Sequence, residues 1–442
     1  MTRGPLMPKL IRFALPLMLS GLLQIAFNAA DLVVVGRFGR PTALAAVGSN
    51  GALVNLVVNI LMGLSLGGSI ISARFYGAGD DKNVLKAAST TVLVGFFGGI
   101  LFAGIGAALA VPLLHVVGSP DDVLPLAAVY LRIYFAGMPV IALYNFAGAA
   151  LRAFGNTRQP LIYLAIAGVL NVGMNLLFVI VLGIDVAGVA LATVLSQCVS
   201  CFLTVRCLFR SLNLRIRDLR FSKRLFRKML SIGIPAGVQG SLFSVSNFII
   251  QSAVNSFGTA VIAGNAACIS LEAFIGCPQD AMMQSATTCI SQNLGAGEFR
   301  RSVRSGWYCQ LISCIASLVL GGLVLLLRRP LLGLYTPDAA SLEAGLVRMS
   351  ILVTTVVLNG TMAVSSGINR GIGHSTASTV MTFLGACAFR IVWVCTVFAH
   401  YGTYTSLLIS YPISWTLVTL LQYVFYFSVR KKAFLRSAEK VG

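Results

Sequence analysis

The sequence predicts an all-α integral membrane protein, with twelve transmembrane helices in two six-helix bundles related by a parallel repeat. Three observations carry that expectation. Of the 442 residues, 57% are hydrophobic and only 10% charged, and the mean hydropathy is +0.87; this is the balance of a polytopic membrane protein, not of a string of soluble domains. Twelve apolar stretches are each long enough to cross a bilayer at about 1.5 Å of rise per residue. Landmarks of the first half recur in the second at a nearly constant spacing.

The spans run near residues 10–36, 46–73, 88–114, 125–150, 160–183, 187–209, 229–256, 264–291, 303–327, 342–368, 377–399 and 403–429. Residues 1–12 lead straight into a full-length span, which reads as a first transmembrane helix and not as a cleaved signal. That span carries Pro16, which removes a helical hydrogen bond and suits either a hinge or a static kink. It also carries Gln24, Asn28 and Asp31 at i, i+4 and i+7, one polar stripe on a helix. The fifth span holds Asn171 and Asn175, four apart and so on one face. Thr193 lies in the sixth. Glu272 and Asp280 lie in the eighth, the latter just after Pro278, and Arg390 lies in the eleventh. The longest polar interruption, residues 210–228, is strongly basic and falls midway. It divides the chain into an N-terminal lobe (1–209), a basic linker (210–228) suited to an anionic membrane surface, and a C-terminal lobe with a short basic tail (229–442).

A formal net charge of +20 would suit a nucleic-acid partner, but the basic residues fall between the spans. With the N-terminus inside, 26 Lys and Arg lie on the inner side and four on the outer (Arg37, Arg40, Arg328, Arg329), while Arg132, Arg348 and Arg390 lie within spans. The asymmetry puts both termini in the cytoplasm and leaves nucleic acid without a role. The ten cysteines lie in or beside apolar segments, so the C-x-x-C of Cys198 and Cys201 reads as helix packing; no metal cluster or phosphate-binding loop is evident.

The repeat is specific. Pro16 and Pro235 are 219 residues apart, as are VGRFG (35–39) and VNSFG (254–258). The GAG triplets of FYGAGDDKNV (75–84) and NLGAGEFRRS (293–302) are 218 apart. YLRI (130–133) echoes LVRM (346–349), and LRAFGNT (151–157) echoes NRGIGHS (369–375). With six spans in each half, both halves start on the same side, so the repeat is parallel and a substrate cavity is expected where two such bundles face each other.

The run AADLVVVGRFGRPTALAAVG, the paired GAG loops, YLRI with the Gly and Pro that follow it, LRAFGNTRQP and GVALATVLSQ (188–197) together resemble the MATE family, the multidrug and toxic compound extrusion transporters. The likeness spans essentially the whole chain and is closer to the DinF-like than to the NorM-like pattern. It implies a monomeric multidrug efflux antiporter of the bacterial cytoplasmic (inner) membrane. Such a protein exports small organic, often cationic compounds in exchange for H+ or Na+, with no other cofactor.

The resemblance also implies an ion-coupling site in the first lobe, made by a helix-1 Asp, an Asn and an Asp four apart on helix 5, and a helix-6 Thr. The matching residues are Asp31, Asn171, Asn175 and Thr193. Asn175 stands where the family often has a second carboxylate, which weakens a sodium cage. Protonation of Asp31 needs no cage, because burial disfavours a charged carboxylate. The stripe also reads as a polar packing seam, but a carboxylate inside a membrane costs about 2.5–3.5 kcal/mol on insertion scales, more than an amide there. In the second lobe the 219 spacing sets Ile250 against Asp31. There Glu272 and Arg390, at similar depth, are expected to pair, or else Glu272 and Asp280 face the cavity and attract cations. Asp280 has no evident partner.

Two other functions compete. A lipid-linked saccharide flippase shares the architecture, but it calls for several cavity arginines and lysines, and only Arg390 suggests itself. A membrane-embedded enzyme calls for clustered His, Asp or Cys groups, which the sequence does not offer.

Overall fold

The computed structural model describes residues 1–38, 41–117, 119–336 and 338–438. Gly39 of the first echoed motif, Arg40 of the outer arginines and Lys440 of the basic tail lie outside them. All regular structure among the described residues is helical: α1 (Leu6–Phe38), α2 (Pro41–Ala78), α3 (Asp81–Val117), α4 (Leu124–Ala136), α5 (Met138–Ala153), α6 (Arg158–Leu176), α7 (Asp185–Ser211), α8 (Lys223–Asn255), α9 (Thr259–Gly295), α10 (Phe299–Leu326), α11 (Arg328–Gly333), α12 (Ala339–Leu352), α13 (Val356–Gly371), α14 (Ser375–Thr382), α15 (Phe389–Trp393), α16 (Ala399–Tyr401) and α17 (Tyr404–Ala438). Wider π-helical turns join some of them end to end, Leu177–Val181 after α6, Phe383–Ala388 before α15 and Val394–Phe398 after it.

Ten of these helices, or joined helix runs, are long and apolar enough to cross a membrane. The bent pairs α4/α5 and α12/α13 bring the number to twelve if each pair is one span. Spans four and ten are therefore broken, not straight. The 49° bend follows from Pro139, which opens α5 one residue after Met138 and cannot continue the backbone hydrogen bonding of α4. The 52° bend has no proline. There Thr354 and Thr355 turn their hydroxyls back onto the carbonyls of Ser350 and Ile351, each at 2.7 Å, a bond that competes with the helical ladder and bends it.

By their contacts the residues fall into two compact units, Leu19–Gly237 and the combination of Met1–Met18 with Val238–Gly442. Sequence boundaries at 209 and 229 differ from these, because α1 and α8 each begin in one unit and end in the other. Each changeover lies two residues past a proline, Pro16 in α1 and Pro235 in α8, and α1 runs unbroken through Pro16.

Small residues explain why the start of α8 belongs to the first unit. Gly63 and Gly67 on α2 meet Gly233 and Gly237 on α8, two G-x-x-x-G faces that let the backbones touch. A Cβ at Gly63 would lie 2.1 Å from the amide nitrogen of Gly237, and one at Gly67 2.3 Å from the carbonyl oxygen of Met229. The linker docks on the same unit, where the Ser222 amide donates to Thr90 Oγ1 at 3.2 Å. Gly63→Ala should therefore force the two helices apart at a cost above the usual 1–3 kcal/mol of overpacking (roughly). Gly98→Ala on α3, where a Cβ meets open space, should be silent, and gel filtration after a heating series compares the two. In the other unit, Leu6, Leu10 and Ala14 of α1 are buried with Ala281, Met282 and Ala286 of α9, Val364 and Ile368 of α13 and Tyr426 of α17.

The sequence echoes are structural. The last glycines of the two GAG triplets, Gly79 and Gly297, have φ of +69° and +74°, and Gly155 and Gly373 of the next pair have +90° and +102°. These left-handed turns are open to glycine at little cost, so the repeat preserved glycine at these four turns. Beside the first, Asp80 accepts from the amide and side chain of Asn83 at 3.1 and 2.6 Å, and these bonds hold its carboxyl below the usual range.

Candidate ion-coupling site

In the first unit α1 and α6 approach closely because α6 carries Gly168. A Cβ there would lie 1.9 Å from the ring of Phe27, one turn before Asp31 on α1. The approach sets Asp31 against the face of α6 that bears Asn171 and Asn175. The side chain of Asn175 is fully buried and that of Asn171 nearly so, while Asp31 is half-buried and Gln24 and Asn28 are exposed. Val34 and Val35, one turn further along α1, are buried in a core with Val179, Val186, Val189, Tyr130 and Tyr134. Asp31 thus stands where the helix passes from an open face to a dry one.

The polar groups form a chain. Asn175 Nδ2 donates to Asp31 Oδ1 at 2.5 Å and reaches Asn171 Oδ1 at 3.4 Å. Asn171 Nδ2 donates to Thr193 Oγ1 of α7 at 3.5 Å, and the Thr193 hydroxyl donates to the carbonyl of Val189 at 2.9 Å. Every donor in the chain is directed away from Asn175 Oδ1, which is buried and has no hydrogen-bond partner. A buried carbonyl without a donor is costly. A proton on Asp31, or a cation beside it, would satisfy this one. The four residues that the resemblance singled out therefore lie together, on three helices of one unit. The π-helical turn Leu177–Val181 begins two residues past Asn175; such turns often mark functional positions in helices.

The second unit differs from expectation. Glu272 of α9 pairs with Arg348 of α12 and not with Arg390: Nε and Nη2 of Arg348 reach the two carboxylate oxygens at 2.9 and 2.8 Å. Depth along the spans was similar for Arg390, but depth says nothing about which way a side chain faces. Arg348 Nη1 donates to Asn265 Oδ1 at 2.7 Å, and the Tyr404 hydroxyl donates to the same atom at 3.2 Å. Asn265 in turn donates to Gln251 at 3.0 Å. Arg390 lies 4.2 Å from the ring centre of Tyr411, and Arg348 lies 5.5 Å from it. Arg390 bonds Ser414 Oγ at 2.9 Å and Asn247 Oδ1 at 3.4 Å.

Asp280, exposed on α9, has a charged neighbour that the sequence hid, Arg370. Arg370 lies past the tenth span of 342–368 and counts among the 26 inner basic residues, but it sits buried in the last turn of α13 and donates to Gln239 Oε1 at 2.8 Å. Among the described residues the second unit therefore holds three buried arginines, Arg348, Arg370 and Arg390, of which the sequence placed Arg348 and Arg390 within spans. The tenth span showed Arg348 openly; its partner could not be read without knowing the helix faces.

Comparison with known proteins adds the following. The sequence pattern of the family described as MatE matches twice, at residues 16–177 and 235–396. The chain is similar to the probable multidrug resistance protein YoeA of Bacillus subtilis (27% identical over 95% of this chain and 93% of the relative). It is also similar to the probable multidrug resistance protein YpnP of the same organism (30% over 68% of each). Among solved structures, the outward-facing conformation of a multidrug resistance MATE family transporter of the MOP superfamily superposes with a TM-score of 0.90. The superposition covers 98% of this chain and 97% of that one, at 21% identity, which establishes a shared fold.

Proposed function

Since this chain belongs to the MatE family, a family of transporters and not of enzymes, we propose that it is a secondary-active exporter of small organic, often cationic compounds, driven by protons exchanged at Asp31. The observation that carries the coupling site is the unpartnered, buried Asn175 Oδ1 beside the carboxylate of Asp31. Ionised, Asp31 accepts from the Asn175 amide. Protonated, it donates, and a half-turn of the amide presents Oδ1 as the acceptor. One proton thus supplies the donor that Asn175 Oδ1 lacks while Asp31 is ionised, so the two protonation states favour two different arrangements of the pair. Pro16 is the proposed hinge of α1, and alternating access is the cycle this switch gates. Multidrug export is supported by the names of the two relatives from Bacillus subtilis. The flippase alternative loses ground because all three internal arginines of the second unit are buried and so unavailable to an anionic headgroup.

The test is dye efflux from proteoliposomes under an imposed proton or sodium gradient, one at a time. A proton gradient alone should drive export and a sodium gradient alone should not, since Asn175 supplies no second carboxylate. Asn175→Asp should raise the sodium response. Export driven by sodium alone in the unmodified protein would reject proton coupling.

The proposed setting is a bacterial cytoplasmic membrane with both termini and residues 210–228 inside, as the distribution of Lys and Arg supports. A reporter fused after Gly442 should be active only when it is a cytoplasmic one; activity from a periplasmic reporter rejects the orientation.

A further inference from the structure

Arg390 is a cation without an anion. It is 2% exposed, and its polar partners among the described residues are neutral: a hydroxyl oxygen (Ser414), an amide oxygen (Asn247) and the face of Tyr411. The one carboxylate of the cluster, Glu272, is held in two bonds by Arg348. An oxygen, an amide carbonyl and an aromatic face are ligands suited to a desolvated cation.

The repeat says where this cation sits. Residues 16 and 235, and again 177 and 396, begin and end the two family matches, and each pair is 219 apart. On that spacing Arg390 is the counterpart of Asn171 and Asn247 the counterpart of Asn28, while Ile250 replaces Asp31. Tyr411 falls within one residue of the counterpart of Thr193. The helices that build the first unit's site, α1, α6 and α7, have α8, the α14–α15 run and α17 as their repeat partners, and those partners supply Asn247, Arg390, and Tyr411 with Ser414. A π-helical turn follows in both units, Leu177–Val181 in one and Val394–Phe398 in the other. The acid position itself has become apolar: Ile250 is buried with Val254 and Leu407.

Resting on the proposed role of Asp31, we propose that the Arg390 guanidinium is a tethered cation, fixed in the second bundle at the place equivalent to the ion-coupling site of the first. The second bundle is thereby held in the equivalent of an ion-loaded state. It takes up no coupling ion, and the response to a gradient is confined to the first bundle. A guanidinium retains its proton across the physiological range, so this site cannot be discharged.

Arg390→Ala removes the cation and leaves a space shaped for it. The purified variant should melt below the unmodified protein. Millimolar methylguanidinium should restore at least half of that loss in Tm, saturably, with sodium chloride at equal ionic strength giving no such gain. Absence of rescue, or an equal gain in the unmodified protein, overturns the proposal. If Arg390→Ala yields no folded protein, Arg390→Lys and Arg390→Met decide. The lysine variant should give more folded, monodisperse protein than the methionine one, and methionine matching or exceeding lysine overturns the proposal. These readouts do not involve Asp31, so a failed rescue leaves the coupling site standing. Conversely, an Asp31→Asn variant that still exports would reject the coupling site without touching the rescue.

Discussion

Replacing Asp31 by asparagine stops gradient-driven export in proteoliposomes, to the level of empty vesicles, while the amount of folded protein and its Tm stay close to those of the parent. The substitution keeps the shape and the hydrogen bond to Asn175, so the stability change should stay within about 1 kcal/mol. What is lost is the exchangeable proton. The amide of residue 31 offers the same donors and acceptors at every pH, and Asn175 has no reason to turn. Asp31→Glu retains part of the activity, since the carboxylate survives with a longer reach. Substrate binding measured without a gradient should persist in both variants, which separates loss of coupling from loss of the protein. Full proton-driven efflux by Asp31→Asn would move the coupling role to Asp280, an exposed carboxylate on α9.

The second large effect is on stability. Glu272→Gln leaves Arg348, which is 3% exposed, without its carboxylate and close to a second guanidinium. Breaking a buried pair in this way typically costs about 3–5 kcal/mol. The reverse change, Arg348→Met, should cost less, because the Glu272 side chain is 23% exposed and water can reach it. The double variant Glu272→Gln with Arg348→Met should recover at least half of the loss caused by Glu272→Gln alone. Glu272→Gln with Arg390→Met should show no comparable recovery, because Arg390 is bound by neutral groups. Tm values from the four proteins and the parent complete the cycle. Equal recovery by Arg390→Met would mean that the carboxylate serves both arginines.

Asp31 on its polar stripe and the i, i+4 pair of Asn171 and Asn175 were legible as helical faces, but it was the resemblance to the MATE family that grouped them with Thr193 as one site. Asp31, Asn171, Asn175 and Thr193 needed only the right helices to meet, and the glycine that lets them meet, Gly168, is visible only once Phe27 is seen opposite it. The second unit was harder. Hydropathy gives the depth of Glu272, Arg348 and Arg390 in their spans, but azimuth decides which arginine reaches the acid, and hydropathy carries no azimuth. Arg370 was misassigned for a related reason. A cation near a helix end looks like a loop residue until a glutamine, here Gln239, is found to hold it inside.

The placement of the first eighteen residues bears on how the protein is made. The side chains that bury Leu6, Leu10 and Ala14 come from α9, α13 and α17, all encoded beyond residue 258. During synthesis α1 therefore emerges before the helices that cover its leading half, and that half waits uncovered until α9, α13 and α17 have followed. A gene cut within residues 210–228 should give two fragments that are each short of a native segment: the first carries residues 1–18 with nothing to receive them. Produced alone, each fragment should be degraded; produced together, they should protect each other. Covering of the leading half of α1 is thus a late event, completed when Tyr426 of α17 joins the cluster around Leu6, Leu10 and Ala14.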